Sequence, residues 1–270
     1  MSDLLQLVPS HLWFFFDKFC QIPRPSKHEA ALSQWIQEWA KSQSIDVKVD
    51  PAGNLILKKT ATPGFENRKG VILQAHIDMV PQANADTPHD FTRDPIQAYV
   101  DGEWVRARGT TLGADNGIGA AACLAVLADN SVQHGPLEVL LTVDEEAGMG
   151  GAFGLQAGWL EGDILLNTDS EQDGEAYMGC AGGVDANIRF KFAHEPAQAN
   201  LQAFKLQVKG LRGGHSGVNI HQDRGNANKL LARLLLDLQA ADIHLASISG
   251  GTLRNAIPRE AHAVLVFNPE

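Results

Sequence analysis

Three apolar runs in the first part of the chain each end in acid, and this constrains the fold more than any other feature. Val71-Ile72-Leu73-Gln74-Ala75 runs into His76-Ile77-Asp78, and Leu137 to Val143 runs into Asp144-Glu145-Glu146. Asp163-Ile164-Leu165-Leu166-Asn167-Thr168 runs into Asp169-Ser170-Glu171. Short apolar runs bounded by polar residues read as buried strands, and open α/β sheets bind ligands beyond the carboxyl ends of their strands. If the three strands are parallel neighbours, His76, Asp78, Glu145, Glu146 and Asp169 converge on one rim. A further acid, Asp115, stands in Gly113-Ala114-Asp115-Asn116-Gly117, at the mouth of a small-residue helix running to Ala128.

The rest of the chain fits around that frame. A helix is expected over His11 to Cys20. A second follows Ser26-Lys27-His28-Glu29, which has capping-box spacing, with Leu32, Trp35, Ile36, Trp39 and Ala40 at helical intervals. Further strands are expected at Ile45 to Val49, Asn54 to Leu57 and Trp104 to Ala107. Strands alternating with helices predict an α/β fold, a mixed sheet with helices on both faces. After Gly179-Cys180-Ala181-Gly182-Gly183 the pattern changes. Asp185 to Phe192 and Ala203 to Val208 alternate like half-exposed strands, a helix runs from about Asn226 to Gln239, and strand-like runs return at Ile243 to Ile248 and Ala261 to Phe267. Two domains are therefore expected, residues 1–183 and an α+β unit of residues 184–270, with the glycines between them as a hinge.

Carboxylates packed this closely repel one another unless a cation stands among them. One imidazole with several carboxylates suits zinc, manganese or cobalt. His76-x-Asp78 places both side chains on one face of a strand, so Asp78 can accept a hydrogen bond from the ring nitrogen not used for metal. Adjacent Glu145 and Glu146 point in different directions, one free to bind metal and the other to take a proton. Asp115 can bridge two ions. The net charge of −10 argues against nucleic acid or an anionic membrane as partner. The first residues show no secretory signal, no run approaches a membrane span, and Cys20, Cys123 and Cys180 are scattered as buried structural thiols would be, which together predict a cytoplasmic protein.

Six stretches carry a family resemblance: Gln74-Ala75-His76-Ile77-Asp78-Met79-Val80-Pro81, Thr110 to Gly119, Glu145-Glu146-Ala147-Gly148-Met149, Asn167-Thr168-Asp169-Ser170-Glu171, Gly213-Gly214-His215-Ser216-Gly217 and Arg254 to Glu260. In order and content they resemble the co-catalytic zinc peptidases, and among these the cytosolic aminoacyl-histidine (non-specific) dipeptidases. The resemblance implies a zinc-peptidase-like sheet with a second, lid-type α+β domain. It implies hydrolysis of dipeptides, Xaa-His among a broader range, with two Zn2+ per active site and Mn2+ or Co2+ as substitutes. His76, Asp115 and Asp169 would hold one ion, with Asp115 bridging to a second held by Glu146. Glu145 would be the general base and Asp78 would orient His76. His215 would polarise the scissile carbonyl, and Asn255 and Arg254 would help bind the substrate carboxylate. A cis peptide after Asp115 and a homodimer formed through the lid domain are implied too. Relatives take the last ligand of the second ion from a histidine that lies beyond residue 270, so this chain alone is expected to be an incomplete enzyme.

Two other readings stand beside this one. Gly117-Ile118-Gly119-Ala120-Ala121-Ala122 fits the G-x-G-x-x-A fingerprint of dinucleotide-binding oxidoreductases, although the stretch before it is turn-like. The other is an inactive, truncated fragment of the peptidase.

Overall fold

The apolar runs at 71–76 and 137–142 become neighbouring strands with residues buried on both faces of a sheet, whereas the run at 164–167 pairs with the first but stays exposed. In the computed structural model, residues 2–84, 86–172, 174–180, 182, 184, 186–198 and 200–269 are described. Contacts divide the chain into two compact units, Met1–Gly182 and Gly183–Glu270.

In the first unit, helices α1 (Ser10–Gln21) and α2 (Ala30–Ser42) precede strands β1 (Asp46–Val49), β2 (Leu55–Lys59) and β3 (Val71–His76). A hairpin of β4 (Ala98–Asp101) and β5 (Trp104–Ala107) stands apart from the main sheet. Then come α3 (Ala114–Ala128), β6 (Leu137–Thr142), the short α4 (Gly150–Gly154) and β7 (Ile164–Asn167). The five-stranded sheet has the order β1-β2-β6-β3-β7. β3 pairs in parallel with β6, from Val71↔Leu137 to His76↔Thr142, and in parallel with β7, from Val71↔Ile164 to Gln74↔Asn167. The three acid-terminated strands are therefore neighbours that finish at one edge. β2 and β1 join antiparallel.

Leu55, Leu57, Ala75, Val139 and Leu141 face the helices and share a core with Phe15, Phe16, Phe19, Leu32 and Ile36. α3 packs into that core on Gly117, Ala120, Ala121 and Leu124, which its small residues make possible. On the opposite face Ile56, Ile72 and Leu140 are covered by Leu155, Trp159 and Leu160, which follow α4. Among the described residues, no helix is long and apolar enough to cross a membrane.

In the second unit, β8 (Gln202–Val208), β9 (Gly214–His215), α5 (Ala227–Asp237), β10 (Ile243–Gly250), β11 (Ala256–Ile257) and β12 (Ala261–Phe267) follow in order. β10, β12 and β8 form an antiparallel sheet in that order. Ala227 and Leu231 of α5 are buried with Ala261, Ala263 and Leu265 of β12.

Three expectations are corrected here. The alternating run at 185–192 forms no strand among its described residues, 186–192; Ile188, Phe190 and Phe192 are exposed and no neighbouring strand pairs with them, while residue 185 lies outside the described residues. Ser26 and Glu29 do not cap α2: the helix begins at Ala30, and no side chain bonds its first turn. Cys180 is exposed, whereas Cys20 and Cys123 are buried as expected, and burial pushes their thiols up to about 12 and about 11.

Candidate metal centre

The rim is organised around the two nitrogens of one buried ring. His76 closes β3 and is 1% exposed. Its Nδ1 lies 3.2 Å from Asp78 Oδ1. Its Nε2 faces outward to Asp115 Oδ1 at 3.1 Å, Asp169 Oδ1 at 3.6 Å and Glu145 Oε2 at 3.9 Å. Candidate ligand atoms of His76, Asp115 and Glu146 all lie within 4.8 Å of one another. Asp115 therefore lies close to both Glu146 and Asp169.

Asp115 reaches this point by a break in the backbone. Gly113 takes φ 72°, Asp115 and Asn116 leave helical dihedrals inside the first turn of α3, and the Asp115–Asn116 peptide is cis, as the resemblance implied. The buried Asn116 donates its side-chain N–H to Asp169 Oδ1. Gln74 holds the end of β7 from the other side: its carbonyl accepts the Thr168 N–H at 2.9 Å, and its Oε1 accepts from Asn167 Nδ2 at 2.5 Å.

Asp78 is the hub beneath the cluster. Fully buried, it accepts the Glu145 N–H on Oδ1 at 3.0 Å and the Glu146 N–H on Oδ2 at 3.1 Å, besides facing the His76 ring. Ser26 Oγ donates to Oδ2 at 2.7 Å. One carboxylate therefore connects the end of β3 to the turn after β6.

The electrostatics record the crowding. Burial alone would lower the His76 pKa, but hydrogen bonds to Asp115, Asp169 and Asp78 overcome it and push the ring up to about 12. Burial, then repulsion from Asp115, pushes Glu146 up to about 8. Burial likewise raises Glu145, assisted by Asp169, Asp78 and Asp115 against the opposing His76. Burial works to raise Asp78 and Asp169, yet the His76 ring leads the bonds and charges that hold both below the usual carboxylate range. The cluster calls for positive charge, which among the described residues the His76 proton supplies from within and the buried Arg24 guanidinium supplies from behind Asp78 and Asp115. Nitrogen and oxygen donors around an acidic hollow fit a divalent cation. Glu145 and Asp169 also open on a cleft of about 230 Å³ lined by Gln74, Thr142, Met149, Leu165 and Asn167.

The remaining expected residues lie in the second unit. His215 ends β9, which pairs with β11 through Ala256↔His215, and the Ser216 N–H donates to the Asn255 carbonyl at 2.8 Å. His215 Nδ1 accepts the backbone N–H groups of Gly217 and Val218, each at 3.1 Å. A ring that accepts at Nδ1 carries its proton at Nε2. Arg254 lines a cleft of about 440 Å³ with Ser216, Asn226, Asn228 and Thr252.

The dinucleotide fingerprint is accounted for by packing. A Cβ at Gly117 would meet the Arg24 guanidinium, and one at Gly119 would meet Asn116 Oδ1 and, at 2.5 Å, Thr168 Oγ1. No strand of the main sheet leads directly into α3. The glycines admit side chains of the centre, and the oxidoreductase reading has no support.

Fold and site together define the class: an α/β sheet protein of peptidase type, with a histidine–carboxylate cluster at the carboxyl ends of its parallel strands. A model of peptidase family M20/M25/M40 matches residues 72–242, and the chain belongs to that family. It is 60% identical over 266 residues to the cytosol non-specific dipeptidase of Escherichia coli (strain K12), covering 98% of this chain and 55% of that protein. A crystal structure of aminoacylhistidine dipeptidase from Vibrio alginolyticus matches at 59% identity with a TM-score of 0.66, over 98% of this chain and 55% of that one. Aminopeptidase PepT from Bacillus cereus ATCC 10987, at 18% identity and a TM-score of 0.50 over 95% of this chain and 65% of that one, shares the fold. The chain spans about half the length of these two dipeptidases, 55% in each case.

Proposed function

We propose that this chain carries the metal-binding and substrate-orienting residues of a cytoplasmic metallodipeptidase that hydrolyses dipeptides, Xaa-His among them. The observation that carries the reading is the ring of carboxylates around His76 Nε2: Asp115, Asp169 and Glu145 between 3.1 and 3.9 Å, with Glu146 in the same group. The substrate class and the cytoplasmic location rest on the names of the E. coli and V. alginolyticus relatives.

His76, Asp115 and Asp169 would hold one divalent ion, and Asp115 with Glu146 would contribute to a second; zinc suits the donor set, with manganese or cobalt as substitutes. Such ions supply positive charge to a peptide carbonyl and acidify water. Glu145, held above its ordinary pKa by burial, accepts a proton from the attacking water and returns it to the departing amine. Asp78 keeps the His76 ring turned with Nε2 outward. In the second unit, which we read as a lid and dimerisation domain, His215 offers Nε2–H to the carbonyl oxygen as charge builds on it. Arg254 and Asn255 bind the dipeptide carboxylate. Neither nucleic acid nor membrane is a partner in this reading.

The test is chelation followed by metal return. A purified form extended to the length of its relatives, dialysed against a chelator, is expected to lose hydrolysis of Ala-His and Gly-Leu and to recover it with Zn2+, Mn2+ or Co2+, and metal analysis reports the ions bound. A protein that takes up no divalent metal under these conditions does not do what we propose.

A further inference from the structure

The segment Arg24–Glu29, between α1 and α2, belongs to none of the strands that build the rim, yet three of its side chains end there. Arg24 is 1% exposed. Its Nη1 donates to the carbonyls of Ile77 at 2.9 Å and Asp78 at 3.0 Å, and its Nη2 donates to the Gly113 carbonyl at 2.5 Å. The backbone leaving β3 is thereby tied to the backbone that presents Asp115. Pro25 forms a bridge with Met79. Ser26 donates to Asp78 Oδ2 at 2.7 Å. Glu29 Oε1 accepts the Asp144 N–H at 3.0 Å and the Lys27 N–H at 2.9 Å, holding the turn that carries Glu145 and Glu146. Ordinary helix capping does not explain these bonds, because α2 uses neither side chain.

We propose that Ser26 is a positioning residue of the metal centre, and that the Arg24–Glu29 strap sets the placement of the His76 ring relative to the Glu145–Glu146 turn. The proposal rests on reading the cluster as a metal centre. Asp78 faces His76 and both glutamate N–H groups, and Ser26 supplies the remaining donor, on the oxygen that also serves Glu146. Without the Ser26 hydroxyl, Asp78 Oδ2 keeps only the Glu146 N–H, so the carboxylate is held less firmly and the imidazole and the glutamate turn share a looser reference. Partners of this kind, one step behind the ligands, typically change metal affinity by about 10–100-fold when removed. A serine that served folding alone would lower stability and leave metal affinity as it was.

Ser26→Ala, Ser26→Cys and Ser26→Thr separate the two cases. Zn2+ affinity is read by competition with a fluorescent chelator, ligand geometry by the visible absorption of the Co2+-loaded protein, and fold by the melting temperature without metal. Ser26→Ala and Ser26→Cys are expected to bind Zn2+ about 10–100-fold more weakly and to change the Co2+ spectrum. Their metal-free melting temperature should fall by only about 2–4 °C, the shift that losing one hydrogen bond brings. Ser26→Thr, which keeps the hydroxyl, should restore affinity and spectrum. Should the alanine variant fail to fold, the cysteine variant, which keeps an atom in the place of the hydroxyl oxygen, carries the measurement. Wild-type protein that binds Zn2+ tightly, with Ser26→Ala or Ser26→Cys equally tight and spectrally identical, overturns this proposal alone. Wild-type protein that binds no metal overturns the metal centre and the proposal together.

Discussion

Asp78 Oδ1 stands 3.2 Å from His76 Nδ1, and both side chains are closed to solvent, at 0% and 1% exposure. The pair fixes which nitrogen faces the other carboxylates. Asp78→Ala removes it together with the acceptor for two backbone N–H groups. Breaking a buried pair and stranding its partners costs about 3–5 kcal/mol, and metal affinity should fall at least about 10-fold. Urea denaturation of the metal-free protein and chelator competition measure the two effects. A variant as stable as wild type would remove Asp78 from its place at the hub.

The neighbouring glutamates should divide their labour. In a form extended to the length of its relatives, Glu145→Ala is expected to keep most of its metal and lose about 10²–10⁴-fold in turnover, the range of a lost general base. Glu146→Ala is expected to lose metal, because its carboxylate groups with His76 and Asp115. Metal analysis beside steady-state kinetics decides it, and equal metal loss in both variants counts against the assignment.

Stability without metal should fall as pH rises. Glu146 has an ordinary value of 4.5 and is pushed up to about 8, and His76 has an ordinary value of 6.5 and is pushed up to about 12. The folded chain therefore keeps protons between about pH 5 and about pH 8 that the unfolded chain releases, so unfolding becomes easier across that window. Asp78 and Asp169 are held low and act in the opposite sense only in stronger acid, at and below their ordinary value of 3.8. Melting in the presence of a chelator should show the decline, and added Zn2+ should flatten it. A metal-free protein that gains stability over that window contradicts the charge balance described above.

Gly119→Ala tests the packing account of the glycine-rich helix entry. The new methyl would meet Asn116 Oδ1, Thr168 Oγ1 at 2.5 Å and the Thr168 carbonyl at 2.7 Å. Overpacking of this kind costs about 1–3 kcal/mol, and it displaces the residue that donates to Asp169. Lower stability with weaker metal binding is expected from calorimetry and chelator competition. Tight binding of a dinucleotide by wild-type protein would instead revive the fingerprint reading.

The strand ends were legible because a strand's hydrophobic run and the acid that stops it are adjacent in sequence. His76, Glu145 and Asp169 could be placed on one rim from that alone, once β3, β6 and β7 were taken as parallel neighbours. What supports them was not legible. Ser26 and Glu29 satisfy a local capping pattern, while their bonding partners, Asp78 and Asp144, lie 52 and 115 residues further on. An arginine such as Arg24 reads as a surface residue until the four carbonyls that accept its hydrogen bonds come together. Asn116 carried no signal beyond its place beside Asp115. The run at 185–192 misled for the reverse reason: alternation marks a surface fit to pair, and pairing needs a neighbour that the pattern does not contain.

The sheet order has a consequence for how the chain is made. β3, the central strand of the rim, leaves the ribosome before either of the strands that flank it, since both β6 and β7 lie later in the sequence. During that interval its two edges are open to other chains. His76 emerges with it, well ahead of Glu145, Glu146 and Asp169. Asp115, Glu145 and Glu146 follow in turn, and Asp169 arrives last, when β7 pairs beside β3.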